Sequence, residues 1–157
     1  MEPRIDANEK AREAIRAMYG LGLYLEKSSI EPSLLNLIDY RVSQINGCAF
    51  CLDMHSKDLL EAGESEQRLF VLDAWREAPF YSDRERAALS YAEAVTKINE
   101  GHVSDEIFEE ARNQFSEQEI IDLTMAVITI NCYNRMNIAF RTTAGTYVPG
   151  QFAISAK

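Results

Sequence analysis

Apolar residues recur along this chain at intervals of three and four, the period of α-helices packed on one side. Leu34, Leu35, Ile38 and Val42 form one such run. Glu31-Pro32 opens it, with proline where a first helical turn tolerates it, and Asn46-Gly47 closes it. Ahead of this run, Asp6 is positioned to cap a first helix reaching about residue 19, with Gly20 and Gly22 loosening its end. Behind it, a helix starts at Cys48 and runs to about residue 62, stopped by Gly63. A fourth, over 65–76, carries Leu69, Leu72 and Trp75 and ends before Pro79. Ser82 with Glu85 and Ser116 with Glu119 have the spacing of capping boxes. The first box opens a helix reaching about residue 99, stopped by Gly101; the second opens the longest helix, to about 142 or 143. Ser104 begins a short helix between them. No alternating strand pattern competes. The pattern predicts an all-α chain of about seven helices, with an extended tail after Gly145 that packs on a neighbour.

At 157 residues the chain suits one domain, 1–157, with a real core. A formal charge of −9 disfavours a nucleic-acid backbone or an anionic membrane as partner, since both select basic surfaces. No apolar run approaches the roughly 18 residues of a membrane span. The polar start, Met1 to Lys10, is unlike a signal peptide, so the expected location is cytoplasmic, where thiols stay reduced. The cysteine count is three, an odd number that argues against a structural disulfide framework. Neither a Rossmann nor a P-loop glycine fingerprint is present, so no nucleotide cofactor is expected.

The candidate chemistry lies in Gln44-Ile45-Asn46-Gly47-Cys48-Ala49-Phe50-Cys51-Leu52-Asp53-Met54-His55. On a helix, Cys48, Cys51 and His55 share one face with Leu52 and Leu59, while Asp53, Lys57, Asp58 and Glu61 face solvent. A dithiol beside a titratable base reads as a thiol peroxidase or dithiol oxidoreductase. Lowering a thiol pKa by about two units, roughly 2.7 kcal/mol, makes thiolate the majority form at neutral pH. The helix N-terminus and a His55 imidazolium together are expected to supply that. Cys51, one turn from His55, is the natural attacker on a peroxide and Cys48 the resolver, though the reverse assignment fits the spacing equally. An external dithiol would regenerate the pair, entering at Cys48. Zinc is disfavoured because a structural site needs four ligands and no second half-site exists.

Outside this stretch, Asn131, Asn134, Arg135 and Asn137 interrupt an apolar helix and predict a buried polar network, with lining of the thiol pocket as the alternative. Cys132 reads as a small buried hydrophobe and His102 as a helix cap or contact residue. Tyr19, Leu21, Leu23, Tyr24 and Leu25 suggest a subunit contact or a core role; Trp75, Phe80 and Tyr81 suggest packing.

Arg41-x-Ser43-Gln44-Ile45-Asn46-Gly47-Cys48-Ala49-Phe50-Cys51-x-Asp53-Met54-His55 resembles the core motif of the alkylhydroperoxidase D-like (AhpD-like) group of the carboxymuconolactone decarboxylase family. The likeness extends through Trp75–Tyr81, Asp83–Leu89, Gly101–Asp105 and Ile130–Arg141, so it covers about residues 30–145. It implies an AhpD-like helical bundle and homo-oligomers, trimers or hexamers. It also implies peroxide reduction through a Cys48–Cys51 disulfide with His55 as proton relay, electrons coming from a protein dithiol rather than a bound cofactor. Two positions depart from the pattern. Asn36 stands where the peroxidase motif has a relay glutamate, and Phe50 where some members have a histidine. The wider family name suggests a second function, decarboxylation of a carboxymuconolactone-like lactone, which needs no dithiol. A third is a non-enzymatic redox-sensing oligomer.

Overall fold

The computed structural model describes residues 2–152. All regular structure among them is helical: α1 (Ala7–Lys10), α2 (Arg12–Leu25), α3 (Pro32–Asn46), α4 (Ala49–Glu61), α5 (Glu66–Phe70), a 3-10 turn (Leu72–Ala74), α6 (Asp83–Thr96), α7 (Ile98–Gly101), α8 (Asp105–Arg112) and α9 (Glu117–Phe140). None is long and apolar enough to cross a membrane.

α3 is the axis, packing on α4, α6 and α9. One side of it sends Leu34, Ile38 and Val42 into a core shared with Ala88, Tyr91, Ala92, Leu123, Val127 and Ile130. The other side sends Leu37 into a second cluster with Leu59, Leu69, Leu72, Trp75 and Leu89. Ile38 and Val42 are wholly buried, and each such side chain contributes about 1.5–3 kcal/mol through apolar area removed from water.

The predicted helices are present, and they differ from the pattern at four places. The first is broken at Ala11, and its second half continues past Gly20 and Gly22 to Leu25. Packing of α2 on α9 offsets the roughly 1 kcal/mol that each helical glycine costs. The fourth helix ends at Phe70 and tightens into the 3-10 turn. Leu69, Leu72 and Trp75 lie three apart and are all buried, and three residues per turn is the 3-10 period that stacks them on one face. The fifth breaks at Lys97 before the short α7, and the last ends slightly early, with Arg141 in the left-handed conformation.

Both capping boxes form. Ser82 and Ser116 accept the amides of Glu85 and Glu119, whose carboxylates bond back to the cap amides. Ser116→Ala is expected to cost about 1 kcal/mol, read as a lower urea midpoint with unchanged m-value.

Through residue 152 the tail folds back on its own α4. Lys57 bonds Asp53 and the Tyr147 carbonyl at 3.0 Å, and the Tyr147 hydroxyl donates to Asp58 at 2.7 Å. Gly145 N–H donates to Asp53 at 2.9 Å. The α4 face expected to be solvated is thus partly covered by the chain's own C-terminal segment.

Candidate functional site

The site begins at Gly47, the left-handed cap of α3 (φ 68°). A Cβ there would touch nothing, so the dihedral rather than crowding calls for glycine. The turn leaves Cys48 as the N-cap of α4, its sulfur accepting the amide of Cys51 at 3.3 Å, where Ser, Thr or Asp would normally sit. Cys48 and Cys51, with Cα atoms 5.4 Å apart, are joined as a disulfide, and each is 1% exposed. The predicted cluster is therefore assembled: Cys51 and His55 lie one turn apart on the buried face of α4, with Cys48 at its start.

Cys51 and His55 border a cavity of about 680 Å³, walled mainly by apolar side chains of α2, α3, α4 and α9. Cys48 is not among the lining residues, so an approach through the cavity meets Cys51 first. Phe152 reaches the same cavity from the tail, stacked on Tyr147 and tilted against Phe50.

His55 departs from expectation in its charge. Burial pushes its pKa down to about 4, so the ring is neutral at physiological pH and no imidazolium stabilises a thiolate. Its Nε2 is buried without a hydrogen-bond partner, and no hydrogen bond joins the ring to Cys51 among the described residues. Two N–H donors reach the sulfurs instead: the Cys51 amide at the helix end donates to Cys48 Sγ at 3.3 Å, and the Asn137 side-chain amide to Cys51 Sγ at 3.4 Å. The unfolded ring titrates near 6.5 and the folded one near 4, so the unfolded chain binds the extra proton between those values. Stability from this ring is present above pH 6.5 and is lost as pH falls toward 4, by about 3 kcal/mol. His55→Leu, compared with the parent by urea melts across pH 4–7, is expected to remove that difference.

The asparagines divide their roles. Asn134, wholly buried, accepts from Asn46 at 2.8 Å and donates to Ser43 at 3.0 Å; Asn131 accepts from Asn46 and donates to Thr96. These two tie α9 to α3 and α6, while Arg135 bonds back to Asn131. Of these asparagines, Asn137 is the one that reaches the dithiol. Cys132 is exposed rather than buried: α9 is apolar on every side, so apolar spacing could not tell which face looks outward. His102 is exposed and caps α7, as expected. Tyr19 borders the cavity, tilted against Tyr133 at 6.4 Å between ring centres, while Leu23 and Tyr24 are exposed. Trp75 packs as expected.

Two features were missed in the sequence. Arg41 is buried in an ion cluster with Glu93 (2.8 Å) and Asp73, and Trp75 donates to Glu93 at 2.9 Å. Asp39 lines the cavity one turn beyond Asn36, its carboxyl pushed up to about 8 by burial. The signal for Asp39 was available: Asn36 and Asp39 are three apart on one helix, and so share a face.

A model of the carboxymuconolactone decarboxylase family matches residues 9–94. The chain is similar to the uncharacterized protein YdfG of Bacillus subtilis (strain 168), 40% identical over 93% of this chain and 99% of that one. Its structure is similar to that of a protein of unknown function from Agrobacterium tumefaciens, a candidate antioxidant defence protein AhpD. The two are 40% identical with a TM-score of 0.89, covering 93% of this chain and all of the other. The fold is shared with an uncharacterized peroxidase-related protein with an AhpD core from Ralstonia eutropha, at 19% identity and a TM-score of 0.78, over 89% of this chain and 75% of that one.

Proposed function

The chain belongs to the carboxymuconolactone decarboxylase family, and from that premise we propose that it is a thiol peroxidase of the AhpD-like kind. The observation that carries the reading is a bonded Cys48–Cys51 pair with Cys51 facing a mostly apolar cavity and Cys48 behind it. A hydroperoxide entering the cavity meets the Cys51 thiolate. Sulfur takes the terminal oxygen, the O–O bond breaks, and an alcohol leaves after protonation. Cys48, whose thiolate the helix-end amide favours, then attacks the Cys51 sulfenic acid. The S–S bond forms, hydroxide leaves and is protonated to water, and two electrons have passed from the dithiol to the peroxide. His55 serves as a neutral relay, accepting a proton at one nitrogen as it releases one from the other, so no buried positive charge accumulates.

A protein dithiol from a reducing, cytoplasmic compartment closes the cycle in this proposal, and the assembly is a homo-oligomer, a trimer or hexamer. Ile121, Ile128 and Ile138 support the oligomer, since α9 leaves them exposed on a helix with no polar face.

The test is stopped-flow mixing of the reduced protein with cumene hydroperoxide, followed by thiol counting. Rapid loss of two thiols per chain, restored by a dithiol over repeated turnovers, is the expected result. Slow oxidation without turnover would favour a redox-sensing oligomer instead. A native activity that survives replacement of both cysteines by serine would favour the lactone decarboxylase.

A further inference from the structure

Resting on the peroxidase reading, we propose that Asp39 is the general acid of this site, delivering the proton that the leaving alkoxide of a hydroperoxide needs. α3 places Asn36 and Asp39 on the wall of the cavity that Cys51 and His55 border. Asn36 cannot carry an exchangeable acidic proton, so the one acid that α3 turns toward the dithiol cavity stands one turn further along.

The surroundings keep that acid protonated. Among the described residues, the other titratable groups bordering the cavity are Asp6 ahead of α1, Tyr19 and Glu26 around α2, Cys51 and His55 on α4, and Tyr133 on α9. No lysine or arginine is among them, and among the described residues the Asp39 carboxylate has no hydrogen-bond partner. His55 is neutral. No positive charge lies among the described residues that line the cavity, and burial raises the Asp39 pKa to about 8, so the carboxylic acid predominates at neutral pH. Tyr133 is pushed up to about 12, burial being the main cause and the Asp39 charge a lesser one. An acid with a pKa near the working pH is well matched to general acid catalysis.

The chemistry balances. Cys51 thiolate bonds to the terminal peroxide oxygen as the O–O bond breaks, leaving a sulfenic acid and an alkoxide. Asp39 gives its proton to the alkoxide and becomes carboxylate. It is reprotonated by the proton that leaves Cys48 as the disulfide closes, and solvent supplies the proton for the departing hydroxide, replacing the one lost when Cys51 ionised.

The discriminating experiment varies the leaving group. Asp39→Asn keeps the shape and removes the proton. It is expected to slow tert-butyl hydroperoxide, whose alkoxide leaves poorly, by about 10²-fold or more. Peracetic acid, whose leaving carboxylate needs no proton, is expected to react within about threefold of the parent, which also shows that the variant is folded. The parent rate with tert-butyl hydroperoxide should fall above pH 8, and this limb should vanish in Asp39→Asn. Equal slowing with both oxidants, or slowing with neither, would overturn the inference while leaving the peroxidase reading intact. A carbon-13 titration of Asp39 in the reduced parent tests the acid without turnover: titration near 4 rather than 8 also overturns it. A parent that reacts with neither oxidant removes the peroxidase reading itself, and this inference with it.

Discussion

Cys51→Ser is expected to slow peroxide-driven oxidation by more than about 10³-fold, the scale on which losing a covalent nucleophile is felt. Cys48→Ser is expected to behave differently. Cys51 borders the cavity and receives the Asn137 amide, whereas Cys48 caps α4 behind it. The Cys48→Ser protein should therefore consume one equivalent of peroxide at close to the parental rate and stop. A single sulfenic acid, trapped by dimedone on Cys51, should remain. The serine can still cap the helix, so folding is not the variable. If instead Cys48→Ser is inert and Cys51→Ser forms the trappable sulfenic acid, the roles are exchanged, and the cavity is not the route by which peroxide arrives.

Glu93→Ala should be the most damaging substitution away from the dithiol. One carboxylate receives the Arg41 guanidinium at 2.8 Å, the Trp75 indole at 2.9 Å and Arg76 at 2.7 Å. The Arg41 side chain is 9% exposed and that of Glu93 13%. Removing the carboxylate strands a guanidinium that water hardly reaches, leaving Asp73 and Gln44 as its remaining partners. Breaking a buried pair from one side costs about 3–5 kcal/mol, far above the 0–1 kcal/mol of exposed pairs. For a chain of this size, that corresponds to a fall in Tm of roughly 10 °C. A loss below about 1 kcal/mol in urea melts would mean that Asp73, itself mostly exposed, holds Arg41 unaided.

Much of the fold was legible because its signals are local. A capping box spans four residues and the Asn46-Gly47 turn two, and both act through backbone groups nearby. Helix breaks were less legible where a distant surface decides. Gly20 and Gly22 are weak helix formers, yet α2 runs through them because α9 packs alongside. The outward face of α9 was illegible, and so the exposure of Cys132 was, because an apolar stripe on every side carries no direction.

By itself, the chain's sequence determined the all-α class, the glycine turn before the dithiol, and the placing of Cys48, Cys51 and His55 on one helical face. Those properties follow from torsion angles and from spacing along one helix. The charge state of His55, the company of Asp39, the burial of Arg41 and the folding of the tail onto α4 were decided by tertiary structure alone. A pKa depends on the water and charge that packing removes or brings near, and residues 50 to 100 positions apart can be neighbours only once the chain is folded.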